Sequence, residues 1–150
     1  MVAKRKRTPV VFDTNVFARA LKSRSKESPN KRVLRLWLIQ KRLHLIVSDE
    51  VVAEYLETFD EILELERPTL GAWQVRFRDR SRVEIVGLAR RFEDSRDPDD
   101  NLMLATALAG NADFLLTNDR DLLDLPEEVT SKLPFRVLTP AAFLKEFAEG

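Results

Sequence analysis

No cysteine occurs in the 150 residues. Disulfides, thiolate zinc centres and cysteine nucleophiles are therefore excluded, and the composition suits a reducing cytoplasm. The single histidine, His44, falls inside a predicted strand instead of at its end, and no catalytic role is assigned to it. No apolar stretch approaches the roughly 20 residues that a membrane-spanning helix needs. The basic run Lys4 to Arg7 is followed by only Val10 to Phe12 before Asp13 interrupts the apolar residues, which is too short for a signal-peptide core. Formal net charge is also lacking, at +0, which argues against indiscriminate nucleic-acid binding.

What is present is an ordinary globular composition, 44% hydrophobic and 33% charged. The length suits one domain, read as residues 9–150 behind a solvated basic arm of residues 1–8. The charge is uneven along the chain. Residues 1–50 hold 13 Lys or Arg against 4 Asp or Glu, and residues 51–150 hold 12 against 21. A basic rim around an acidic centre is one consequence of that asymmetry; solvated helix faces are the other.

Strands alternate with helical patterns, which indicates an α/β fold with a mainly parallel sheet covered on both faces. Pro9 to Phe12, Leu43 to Val47, Val83 to Val86, Phe114 to Leu116 and Arg136 to Leu138 read as strands. Polar residues between Leu21 and Asn30 predict a mobile loop, and Ser28 with Pro29 suits a helix N-cap and first position. Ser48 caps the next helix, whose buried stripe is Val51, Tyr55, Phe59, Ile62 and Leu63. Pro68 is expected to end that helix, with a shorter Arg-rich helix from Leu70 to Arg80. Small residues then mark a close-packed helix with Leu102, Thr106 and Ala109 on one face, and a last helix from Pro140 buries Phe143, Leu144 and Phe147. Trp37, Trp73 and Tyr55, at helical positions, read as core or interface and not as base-stacking platforms.

Four carboxylates stand at strand ends or on the helices that follow them: Asp13, Glu54, Asp100 and Asp119. In open α/β sheets, sites gather outside the carboxyl ends of the strands. Asp13 and Glu54 are expected near one edge of the sheet. Each acid also has a local reading: Asp13 as turn or N-cap residue, Asp97 as the cap of the helix that contains Asp100, Asp119 as a turn residue and Asp121 as a solvated one. Two carboxylates about 5 Å apart repel by roughly 3 kcal/mol at an effective dielectric near 20, so four ionised together call for a cation. Hard oxygen donors favour Mg²⁺ or Mn²⁺.

The segments Val-Val-Phe-Asp13-Thr-Asn15-Val, Val-Ser48-Asp-Glu-Val-Val-Ala-Glu54, Arg-Asp97-Pro-Asp-Asp100-Asn-Leu-Met-Leu-Ala, Ala112-Asp113-Phe-Leu-Leu-Thr117-Asn-Asp119-Arg-Asp121-Leu-Leu and Val137-Leu-Thr-Pro140-Ala-Ala-Phe-Leu occur in this order. Together they resemble the PIN-domain family, most closely its toxin members, from Val10 to Phe147. The resemblance implies a three-layer α/β/α sandwich and a Mg²⁺- or Mn²⁺-dependent endoribonuclease. It also implies a homodimer and a cognate antitoxin that occupies or rearranges the cleft. It assigns Asp13, Asp100 and Asp119 to the metal and Glu54 to positioning a metal or deprotonating the attacking water. Asn15, Asp97, Thr117 and Asp121 match its accessory positions. Arg19, Lys22, Arg24 and Lys26, near the polar loop, are expected to meet RNA phosphates. Three other readings stand beside it: a housekeeping RNA-maturation nuclease, a non-catalytic metal- or RNA-binding module, and an Asp-nucleophile phosphatase. The last normally needs a second Asp where this chain has Asn15.

Overall fold

The computed structural model describes residues 7–88 and 98–149, the side chains of 98–101, 148 and 149 excepted. Five strands, β1 (Thr8–Phe12), β2 (Leu43–Ser48), β3 (Val83–Val86), β4 (Phe114–Leu116) and β5 (Arg136–Leu138), pair in the order β3-β2-β1-β4-β5. Every pairing is parallel, so each connection must cross over the sheet, and helices make those crossings. Helices α1 (Thr14–Lys22) and α2 (Pro29–Leu38) join β1 to β2, and α3 (Asp49–Glu61) and α4 (Arg67–Arg76) join β2 to β3. Helix α5 (Pro98–Ala109) precedes β4, the short α6 (Arg120–Leu123) and α7 (Glu127–Thr130) lead to β5, and α8 (Pro140–Glu149) follows. This is the α/β/α architecture expected from the sequence. Thr8, assigned to the basic arm on sequence grounds, is the first residue of β1.

Side-chain alternation splits the core into two layers. Phe12 of β1 packs edge-on against Phe17 of α1 and Trp37 of α2, at centroid distances of 5.6 and 6.2 Å. Phe17 is itself enclosed by Tyr55, Phe59, Trp73 and Phe77, with centroids 4.6 to 5.7 Å away, which brings α3 and α4 onto the same face. Phe114 meets Phe143 of α8 at 5.0 Å on that side as well. Trp37, Trp73 and Tyr55 are thus core, as read. On the opposite face Ile46 and Ser48 meet α5: the Ser48 and Thr106 hydroxyls lie 3.0 Å apart, and a Cβ at Gly110 would collide with Ile46.

Several expectations change. β1 is the central strand, so Asp13 lies at mid-sheet; strand order is a tertiary property that strand sequences do not encode. Pro68 opens α4 instead of ending α3, in keeping with the tolerance of a helix's first turn for a residue without N–H. Helix α3 stops at Glu61, and Glu64 takes a left-handed φ of 53° in the connection. Ile62, displaced from the stripe by that stop, is 64% exposed. Ala109, at the end of α5, is exposed while Ala105 and Ala107 are buried.

Candidate active site

β1 and β4 are neighbours, yet the chain leaves β1 toward β2 and enters β4 from the opposite wing. The strand order reverses between them, which is where open α/β sheets leave a crevice at their carboxyl ends. Asp13 follows β1 directly and caps α1, with extended backbone at φ −63° and ψ 150°. Its backbone N–H donates to the Leu116 carbonyl at 2.9 Å, which joins the ends of the two strands. The side chain is 7% exposed and its oxygens accept hydrogen bonds from residues on both sides of the crevice. The Thr14 N–H reaches Oδ1 at 2.7 Å, and the Thr117 hydroxyl and Asn15 Nδ2 reach Oδ2 at 2.6 and 3.2 Å. The cap and functional readings of Asp13 are compatible, because capping fixes the carboxylate's direction.

Thr117 is fully buried; its N–H donates to the Leu138 carbonyl of β5 at 3.0 Å and its hydroxyl oxygen accepts the Asp119 N–H at 2.9 Å. Asp119 caps α6, with Oδ1 accepting the Asp121 N–H at 2.9 Å. Glu54, half-buried on α3, accepts a hydrogen bond from the Thr14 hydroxyl, so residues next to each other at the end of β1 hold two candidate acids. The same two carboxylates bear on Tyr55. Its phenol is buried, donates to the Phe12 carbonyl, and is pushed well above the usual tyrosine pKa, first by burial and then by the negative charges of Asp13 and Glu54.

Asp100 lies in the first turn of α5, whose backbone is described and whose side chain there is not; Asp97 lies outside the described residues. From Thr106, beside Ser48, the helix extends back six residues to Asp100. At 1.5 Å per residue that carries its backbone about 9 Å toward the carboxyl ends of the strands. Among the described residues no three His, Cys, Asp or Glu side chains gather closely enough to hold a metal ion. The donor chemistry nonetheless fits one: every acid offers hard oxygen, the Asp13 carboxylate is already oriented, and Mg²⁺ keeps several waters when protein ligands are few.

The four basic residues expected to meet RNA are all exposed. Arg19 and Lys22 occupy the last turn of α1, and Arg24 and Lys26 the connection to α2. Lys26 also lines an apolar groove between α1 and α2 together with Lys31 and Arg35. Thr14, Asn30 and Asn118 were passed over in the sequence. Thr14 and Asn118 each adjoin a recognised candidate, which is the signal that would have found them; Asn30 carries none.

A parallel sandwich that gathers carboxylates, amides and threonine hydroxyls at the reversal of its strand order is an α/β protein with an acidic carboxyl-end site. Residues 9–121 match the model of the PIN domain, and the chain belongs to that family. PIN domains are in general metal-dependent nucleases. Among solved structures the fold is similar to the crystal structure of VapBC2 from Rickettsia felis bound to a DNA fragment from their promoter, at a TM-score of 0.53 and 16% identity. That likeness covers 87% of this chain and 97% of the other. No curated protein sequence matches the chain.

Proposed function

We propose that the chain is a Mg²⁺- or Mn²⁺-dependent endoribonuclease, the toxin of a toxin-antitoxin pair acting in the cytoplasm. The observation that carries this reading is the Asp13 carboxylate, buried at the strand-order reversal and held by the Thr14 N–H, the Thr117 hydroxyl and the Asn15 amide, with Thr14 reaching from the same turn to Glu54. Family membership supports nuclease chemistry, and the fold's likeness to the VapBC2 toxin-antitoxin complex supports the pairing with an antitoxin.

Asp13, Asp100 and Asp119 would hold the ion, directly or through water. When bound, such an ion lowers the pKa of water and stabilises charge on the leaving oxygen. Glu54, oriented by Thr14, takes the proton of the attacking water. Asn15 and Thr117 fix the direction of the Asp13 carboxylate, while Asp97 and Asp121 serve as accessory acids. Arg19, Lys22, Arg24 and Lys26 bind phosphates of the RNA, and a homodimer presents two such surfaces.

The test is cleavage of structured and single-stranded RNAs by wild type, Asp13→Asn and Glu54→Gln, with Mg²⁺, Mn²⁺ or EDTA. Cutting should need the ion, vanish in Asp13→Asn and fall by about 10²- to 10⁴-fold in Glu54→Gln. RNA that is bound but never cut by wild type with either ion would refute the nuclease. Growth arrest on expression, relieved by Asp13→Asn, separates a toxin from a housekeeping nuclease.

A further inference from the structure

The Asp13 carboxylate is the first link of an amide chain that leaves the acidic site and ends on α2. Asn15 donates from Nδ2 to Asp13 Oδ2 at 3.2 Å. Its Oδ1 accepts the backbone N–H of Asn118 at 3.1 Å and, more weakly, Asn118 Nδ2 at 3.4 Å. Asn118 Nδ2 also donates to Asn30 Oδ1 at 2.9 Å, the shortest bond of the series. Asn30 stands in the first turn of α2, two residues beyond the Ser28 cap, and 88 residues separate it from Asn118.

We propose that Asn30 is a positioning residue of the acidic site. By holding the Asn118 amide, it sets the hydrogen bonds that Asn15 accepts and so the direction of the Asp13 carboxylate. Asn15 donates and accepts through one planar amide, and Asn118 Nδ2 donates to both Asn15 and Asn30, so rotation of one amide disturbs the next. The relay also joins the polar connection between α1 and α2 to the site: the Lys31 ammonium donates to the Ser23 carbonyl at one end of that connection, and Asn30 follows it at the other. Groups that orient metal ligands from outside the coordination sphere typically contribute 10- to 100-fold in affinity. Asn30 acts through two amides, so an effect of about 3- to 10-fold is expected, below that range.

This inference rests on the cation-binding part of the function proposed above, and the experiment has two arms so that the two ideas fail separately. The first arm is a Mn²⁺ titration of the full chain without RNA, followed by the electron paramagnetic resonance of free Mn²⁺, for wild type, Asn30→Ala and Asn30→Asp. Asn30→Ala should weaken binding by the stated factor with an unchanged unfolding midpoint; Asn30→Asp, which keeps an acceptor for Asn118, should restore it. The second arm records the side-chain amide resonances of Asn15 and Asn118 in the metal-free protein. In Asn30→Ala both should shift and the Asn118 protons should exchange faster. Should Asn30→Ala lower stability, Asn118→Ala removes the same bond from the other side, and the Mn²⁺ titration and the Asn15 resonances are read in that variant. Unmoved Asn15 resonances, or unchanged Mn²⁺ affinity in a protein whose wild type binds the ion, would overturn the proposal. Shifted Asn15 resonances in a wild type that binds no Mn²⁺ would uphold the relay and sink the cation reading instead.

Discussion

The two faces of the sheet solve the same packing problem with opposite materials. On one, Phe12, Phe17, Trp37, Tyr55, Phe59, Trp73 and Phe77 interlock through ring contacts. On the other, Ala105, Thr106, Ala107 and Gly110 let α5 lie almost on the strands. Large side chains hold α1 and α3 at a set height, from which Thr14 and Glu54 meet above the end of β1. Small ones bring α5 close, so that its first turn extends past the end of β2. The difference teaches that the acidic site rests on two unlike supports, one sensitive to lost volume and the other to added volume.

The largest effect is expected from Phe17→Ala. It removes the ring at the middle of the aromatic layer and should cost about 3 to 5 kcal/mol in urea denaturation, a large part of an ordinary domain's stability. A loss well under that would mean the neighbouring rings collapse into the space and that the layer sets no height. Next comes Gly110→Ala on the opposite face, with a penalty of roughly 1 to 3 kcal/mol from overpacking. Adding Ile46→Ala should recover part of it, so the double variant should be less destabilised than the sum of the singles. Simple additivity would show that Ile46 is not what Gly110 avoids.

Tyr55→Phe is the mildest of the three, at about 1 kcal/mol for the lost bond to the Phe12 carbonyl. Its sharper consequence concerns pH. The fold favours the neutral phenol, so this contribution is complete below the unfolded-state pKa of about 10 and is lost as pH rises through the elevated folded value. Tyr55 is the only tyrosine, so phenolate absorbance reports it alone. Phenolate should appear only well above the usual range and together with unfolding. Titration near 10 in the intact fold would contradict its burial.

The sequence made the strand-end acids, the Ser28 and Ser48 caps and all five strands legible, because each is written in neighbouring residues. Both serines cap as expected, accepting the N–H groups of Lys31 and Val51. What escaped depends on distant partners. The central place of β1 follows from how strands pair, and the exposure of Ile62 from where α3 stops. Asn30 looks like any polar residue in a helix's first turn until Asn118 is set beside it. The acids were visible because they sit at boundaries between elements; Thr117, Asn118 and Asn30, whose bonds lead to Asp13, lie in distant parts of the chain.

The Thr117 hydroxyl reaches Asp13 across 104 positions of the chain. A ribosome adding roughly 5 to 20 residues per second therefore makes the first candidate acid several seconds before the group that orients it. Until β4 has emerged and slipped in beside β1, the nascent polypeptide carries Asp13 without the Thr117 hydroxyl. A fragment ending anywhere before Thr117 would lack the hydroxyl that orients Asp13, so the arrangement of this carboxylate waits on the emergence of β4.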